Sequence, residues 1–474
     1  MFFGRQAQLD ELNNAYASGK LEIAVVYGRR RTGKTALISE FTRDKKAIYF
    51  IGAETNGKGN LEEFSRTITA QSRKERQEII YRSFSAALEQ VFEMSRQERL
   101  ILVIDEYQFI DRSAQKFADD LGKVAAKYGN RSKLMIIICG SSMPYMQKNL
   151  LDGDWPLSQL VSCRIKVDPF DFADTCRYLG GFSSADKALL YGVTGGMPCY
   201  LEQIDACRSV EENIKAMFLT SGSAFCEEPE NLIRREVREP ALYNAILTAI
   251  AGGACHMKDI SAKVEEETGV CDKYLKNLIA FELVRREIPY GEKASRKTRY
   301  TVSDHMFRFW YRFVPENRSA IACGNTDKAF EGIKPGLYGT YMEDVFKEIC
   351  RRYINKVILN ASAGEVELLP GRWWGTDPNT GMPAEVDIML RQDGGRLLLG
   401  SCCWEDKKTG INDMETLIWK SRMFREENIQ LYLFSRCGFT DRCKEVAGEI
   451  GNIKLVTYDG IIREMLAEKK LPSH

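Results

Sequence analysis

Eight residues, Gly28-Arg29-Arg30-Arg31-Thr32-Gly33-Lys34-Thr35, constrain this chain more than any other stretch. They fit the pattern GxxxxGK[ST], and they stand directly after an apolar run at 23–27 and directly before a helix-like run at 36–42. That context turns a short pattern into a strand, a glycine-bearing loop and a helix N-terminus. Backbone N–H groups in such a loop, together with the open end of the helix, cradle a polyphosphate. Lys34 is expected to reach the β and γ phosphates, and the Thr35 hydroxyl to ligate Mg²⁺. The expected cofactors are therefore ATP and Mg²⁺, held by Gly28 to Thr35 as a unit.

A second apolar run, at 100–104, ends in Asp105-Glu106. Phosphoryl transfer needs positioning and charge neutralisation more than covalent chemistry, so two carboxylates at a strand end have distinct uses. Asp105 is expected to hold the metal through water, and Glu106 to orient and polarise the attacking water. A third run, at 134–139, ends in Gly140-Ser141-Ser142. Ser141 is read either as a sensor of the γ-phosphate or as a helix cap. The expected catalytic set is Lys34, Asp105, Glu106 and Ser141.

With runs at 47–52 and 163–167, these segments predict a five-stranded parallel sheet covered on both faces, because the strands are nearly continuous in apolar residues. At 474 residues the chain is too long for one core. The reading is an α/β multidomain protein: a P-loop core over 1–171, a helical lid over 172–240, a winged-helix domain over 241–314, a linker over 315–339, and an α/β domain over 340–474. The winged helix is inferred from helical patterns near 242–251, 257–265 and 272–283, followed by a charged hairpin at 285–300. Lys273 and Lys276 fall on its third helix, and Arg285, Arg286, Lys293, Arg296, Lys297 and Arg299 in or beside the wing. DNA is a candidate partner there, through phosphate neutralisation; a protein contact is the competing reading.

Composition closes other classes. No apolar run approaches the ~20 residues of a membrane helix, and the start, Met-Phe-Phe-Gly-Arg, lacks a secretory core, so a cytoplasmic protein without a membrane partner is expected. The 14 cysteines contain no CxxC pair and accompany only three histidines, which points to free thiols rather than disulfides or zinc. A formal net charge of +1 gives nucleic acid no general pull.

With these residues in place the chain resembles the archaeal-type ATPase family, P-loop proteins of the AAA+/STAND class that carry a C-terminal nuclease-like domain. The resemblance rests on Phe3-Gly4-Arg5, the Arg-rich loop, Asp105-Glu106, Gly140-Ser141-Ser142, Gly195-Gly196-Met197-Pro198, Arg238-Glu239-Pro240 and Phe309-Trp310-Tyr311, in that order. It implies a restriction-endonuclease-like C-terminal fold, and places Arg5 near the adenine. Two departures stand out. Where the family shows a Tyr-Gly-Arg type sequence after Pro156-Leu157, this chain has Ser158-Gln159-Leu160, so a cation toward the γ-phosphate is missing and slow turnover is expected.

In the nuclease-like domain Glu343 and Asp387 match the family pattern, but the expected Glu-X-Lys is replaced by Ser401-Cys402-Cys403. Ser401 and Cys403 supply neither a metal-binding carboxylate nor an ammonium, so this is read as a degenerate site, Glu343, Asp387, Ser401 and Cys403. The overall expectation is a slowly hydrolysing, ATP-dependent switch coupled to the winged-helix and nuclease-like modules. An unidentified protein partner and a homo-oligomer are left open. The alternatives are an ATP-regulated nuclease rebuilt around Glu405 and Lys407, and an ATP-tuned DNA-binding regulator.

Overall fold

The computed structural model describes residues 2–71, 79–151, 155–223, 225–293, 297–359 and 369–467. The chain divides into two compact units. One runs to Pro169 and adds Met197–Cys199 and Ala280–Glu282; the other holds Phe170–Gly196, Tyr200–Ile279 and the chain from Leu283 onward.

The first unit is built on β1 (Glu22–Tyr27), β2 (Ala47–Ile51), β3 (Leu100–Asp105), β4 (Leu134–Gly140) and β5 (Val161–Lys166). All pairs are parallel, in the order β2-β3-β4-β1-β5. Every residue of β3 and β4 is buried, which explains why both read as unbroken apolar runs. Their side chains alternate between two cores. Leu100, Leu102 and Ile104 meet the helices Phe84–Met94 and Phe117–Tyr128, while Ile101 and Val103 meet Leu12, Leu37 and Phe41 on the opposite face. The expected strands agree with the observed ones to within two residues. Because β4 lies between β1 and β3, the loops after these three strands open at one edge of the sheet, where ligands of open α/β sheets bind.

The second unit begins with helices at Phe172–Tyr178, Ser184–Thr194, Val210–Phe218 and Glu228–Glu236. Three of them start on an Asp or Ser whose side chain accepts a backbone N–H of the first turn: Asp171, Ser183 and Ser209. Helices Pro240–Ala251, Met257–Val264 and Thr268–Ala280 follow, then an antiparallel hairpin of β6 (Val284–Glu287) and β7 (Arg299–Val302). Helices and hairpin come in the order expected for this segment; Arg296 lies outside the described residues. The helix His305–Phe313 is buried at every position but Arg312.

The span 315–339, read from its Gly, Asn and Lys content as a linker, contains helices Arg318–Ala322 and Thr326–Gly336. Ala329, Phe330 and Ile333 recur at helical spacing and bury one face, and this periodicity outweighs the polar composition between them.

The C-terminal sheet runs β12-β11-β10-β9-β8, formed by β8 (Gly371–Thr376), β9 (Pro383–Arg391), β10 (Leu397–Cys403), β11 (Ile429–Ser435) and β12 (Ile453–Thr457). β8 to β10 are antiparallel and β10 to β12 parallel. Helix Met342–Tyr353 packs on β9 and β10. Helices Ile411–Ser421 and Asp441–Ile450 enclose a separate core with Leu397, Leu399 and Leu433. Among the described residues no helix is long and apolar enough to cross a membrane.

Candidate functional site

The loop between β1 and the helix Lys34–Thr42 needs its glycines. Gly28 has φ of 153°, and a Cβ there would stand 2.3 Å from the Val167 carbonyl oxygen. Gly33 has φ of 90° and hands the chain into the helix, whose first bond runs from Leu37 N–H to its carbonyl. Arg31 also adopts a positive φ, of 68°. The Thr32 hydroxyl donates to the Arg29 carbonyl at 2.9 Å and ties the loop across its width. Arg5, itself at φ of 66°, donates to the carbonyls of Thr32, at 3.1 Å, and of Asp168. The residue expected near the adenine is thus tied to the loop backbone.

Lys34 is buried, and its ammonium donates to the carbonyls of Gly28 at 2.9 Å and Arg29 at 2.7 Å. Burial lowers its pKa, while Glu106 and Asp105 nearby favour the charged form. A buried ammonium beside a helix N-terminus is chemically suited to an anionic ligand.

The two carboxylates at the end of β3 are held by different partners. Asp105 accepts from the Thr35 hydroxyl at 3.3 Å and from Tyr49 at 2.8 Å on one oxygen, and from the Glu106 N–H at 2.9 Å on the other. Hard oxygens from Thr35 and Asp105 within one site suit a magnesium ion. Glu106 has φ of 52°, a kink that turns its side chain out of the strand line. Its Oε2 accepts from Ser141 at 2.7 Å and from Gln108. Lys34, Thr35, Asp105, Glu106 and Ser141 are therefore brought together as their order in the sequence suggested.

Sequence reasoning missed Tyr49, Gln108 and Cys139. Burial and the neighbouring Asp105 push the Tyr49 hydroxyl up, so it remains a donor. Burial also raises the Cys139 thiol well above its ordinary value beside Asp105. The motif residue Pro198 lies 3.8 Å from where a Gly33 Cβ would stand, which puts Pro198 against the phosphate loop. After β4, residues Ser158–Leu160 form a short turn and Arg164 is exposed on β5.

In the C-terminal domain Glu343 and Asp387 are also close, but a lysine sits between them. Lys347 Nζ is 2.7 Å from Glu343 and 3.3 Å from Asp387. Burial alone would lower its pKa; the two carboxylates reverse this and raise it. Asp387 accepts the Cys402 N–H at 3.0 Å on its other oxygen. Ser401 and Cys403 lie on β10, with burial pushing the Cys403 thiol up to about 12. Glu405 and Lys407 lie beyond the end of β10 and pair with each other at 3.1 Å, largely exposed. Among the described residues no three His, Cys, Asp or Glu side chains are grouped to hold a metal ion.

The sheet order and the loop geometry define a P-loop ATPase core. Residues 2–204 match the family described as an ATPase domain predominantly from Archaea, and residues 310–414 match a family described as archaeal and bacterial proteins of unknown function. Residues 2–204 thus carry a P-loop ATPase core, and the protein is an ATP-binding P-loop ATPase. An uncharacterized protein of Methanocaldococcus jannaschii is 27% identical over 421 residues, covering 86% of this chain and 88% of its own. An uncharacterized ATP-binding protein of the same organism is 41% identical over 46 residues, covering 10% of this chain and 78% of its own. Among solved structures, a Walker-type ATPase of Pyrococcus abyssi aligns with a TM-score of 0.49 and 18% identity, covering 65% of this chain and 96% of its own.

Proposed function

We propose that this protein is a nucleotide-dependent switch that hydrolyses ATP slowly, with Mg²⁺ as its metal. The observation that carries the reading is the tether on Glu106: the carboxylate suited to orient water is held by Ser141 and Gln108, while Lys34 is held by loop carbonyls. Both chemically decisive groups are engaged with the protein itself. A triphosphate offers Lys34 stronger, charged acceptors than neutral carbonyls. As the γ-phosphate approaches Ser141, the hydroxyl exchanges its bond to Glu106 for one to phosphate, and Glu106 turns to the attacking water. Thr35 and Asp105 would hold a magnesium ion, which would supply charge neutralisation on the phosphates. With no arginine at 158–160 to add a second cation, turnover is slow.

The switch output lies in the second unit, where the three helices and hairpin of 240–302 are read as a winged helix and the C-terminal sheet as a nuclease-like fold that no longer cuts. Lys347 supports the second point: an ammonium between Glu343 and Asp387 neutralises the carboxylates that a nuclease of this kind would offer to metal. Arg285 and Arg299, expected to face DNA, pair instead with Glu348 and Glu385, at 3.1 and 3.0 Å, which weakens a DNA-binding wing. A protein partner is the output this charge pattern favours.

Nucleotide exchange followed by limited proteolysis tests the switch. ATP and ADP are expected to give different cleavage patterns in the second unit, and Lys34→Ala to abolish the difference; identical patterns in all states would remove the switch and leave a plain ATPase.

A further inference from the structure

A cavity of about 350 Å³ opens in the second unit, between the hairpin of β6 and β7, the helix His305–Phe313, the helix Met342–Tyr353 and β8. Its wall carries seven Arg or Lys side chains and only two carboxylates, Asp344 and Glu348. Some of these cations have carboxylate partners. Arg285 pairs with Glu348 and Glu287, Arg299 with Glu385, Arg372 with Glu385 and Glu287, and Lys347 with Glu343 and Asp387.

Three guanidinium groups are left under-used. Arg308 is only 6% exposed and spends Nη1 on Glu348 at 2.7 Å, while its Nε and Nη2 are buried without any hydrogen-bond acceptor. Arg351 donates to a neutral group, the Asp387 carbonyl, at 3.2 Å. Arg312 donates to the Thr340 hydroxyl at 2.5 Å. A buried N–H with no acceptor has lost its hydration without replacement, the more so when the group is charged, so folded proteins rarely leave one without a use.

We infer that this cavity is a binding site for a small phosphorylated ligand bearing at least two anionic oxygen groups, of the size of a nucleotide. Its volume falls in the range of about 300–1,000 Å³ typical of small-molecule sites. Guanidinium forks suit phosphate oxygens, and Arg312 and Arg351, which line the cavity and donate to neutral oxygens, have charge to offer an anion there. A double helix does not enter a cavity of this volume. The site is separate from the phosphate loop, since none of its lining belongs to the first unit.

The test uses the full chain carrying Lys34→Ala, so that the phosphate loop no longer competes, and titrates inorganic pyrophosphate by calorimetry. One binding event is expected, weakened about tenfold or more by Arg312→Met together with Arg351→Met. Asp344→Asn, which removes a carboxylate from the wall, is expected to tighten binding, a gain that misfolding cannot mimic. The inference fails if pyrophosphate does not bind, if the double arginine variant binds it equally well, or if only a 5′-phosphorylated oligonucleotide binds.

Discussion

Ser141 Oγ lies 2.7 Å from Glu106 Oε2 and donates to it, so the end of β4 restrains the carboxylate that follows β3. The two residues are far apart in sequence and come together because β4 pairs directly with β3. In the proposed mechanism this hydroxyl would link phosphate sensing to water activation.

Glu106→Gln is expected to keep ATP binding and to lower kcat by about a hundredfold or more, the usual contribution of a positioned base. Steady-state phosphate release and equilibrium ATP binding, measured on the same preparation, separate the two effects. Equal loss of both would mean that Glu106 serves binding rather than hydrolysis.

Gly28→Ala places a methyl group 2.3 Å from the Val167 carbonyl in a backbone conformation that L residues rarely adopt. The strand end and the loop must move apart, at a cost of about 1–3 kcal/mol by overpacking alone. Chemical denaturation reads the loss, and ATP is expected to rescue less stability in the variant than in the parent. A neutral result would show that the loop is looser than this contact implies.

Glu348 joins three elements, accepting from Arg308 at 2.7 Å and Arg285 at 3.1 Å and meeting His305 Nε2 at 2.7 Å. Burial pushes its carboxyl up, but the two guanidinium groups and the histidine outweigh this and hold it well below its ordinary value. Glu348→Ala strands the buried Arg308 and deprives the partly exposed Arg285 of its partner, and is expected to destabilise the second unit by about 3–5 kcal/mol. Denaturation monitored by tryptophan fluorescence checks this, and a loss under ~1 kcal/mol would show that water or other acceptors replace the carboxylate.

Burial lowers the pKa of His305, and Arg308 opposes its protonation although Glu348 favours it. The unfolded chain takes up this proton at about pH 6.5 while the folded chain does not, so stability falls as pH drops through that value. Glu348, with its depressed folded pKa, adds stability that is present above its unfolded value near 4.5 and is lost on further acidification. Tm measured from pH 8 to pH 5 is expected to fall less steeply for His305→Asn than for the parent. Parallel curves would mean that His305 is charged in the fold.

Lys347→Ala leaves Glu343 and Asp387 facing each other without a cation. Mn²⁺ is expected to raise the Tm of this variant and to leave the second unit of the parent unchanged, because a divalent ion replaces the missing ammonium. No difference in Mn²⁺ response would show that the two carboxylates are too far apart to share an ion.

The ATPase core was legible because β1, β3 and β4 lie inside the sheet and carry unbroken apolar runs, each leading into a motif residue. Tyr49 and Gln108 were not. A tyrosine in β2 reads as core, and its hydrogen bond to Asp105 depends on the β2 to β3 register, which no local pattern encodes. β8 was missed because Gly371-Arg372-Trp373-Trp374-Gly375-Thr376 lacks alternation, and its pairing with β9 shifts register between Gly371 and Trp373. The ion pairs of the expected basic wing were hidden for a related reason. A count of arginines says nothing about Glu348 and Glu385, which come from other elements and take up Arg285 and Arg299.

Phosphate release from ATP, with Mg²⁺ and with the metal chelated, measured for the parent chain and for Lys34→Ala, tests the central claim most directly. Slow, metal-dependent hydrolysis by the parent and neither binding nor hydrolysis by the variant is the predicted result. ATP turnover that survives Lys34→Ala, or a parent chain that does not bind ATP at all, would contradict it.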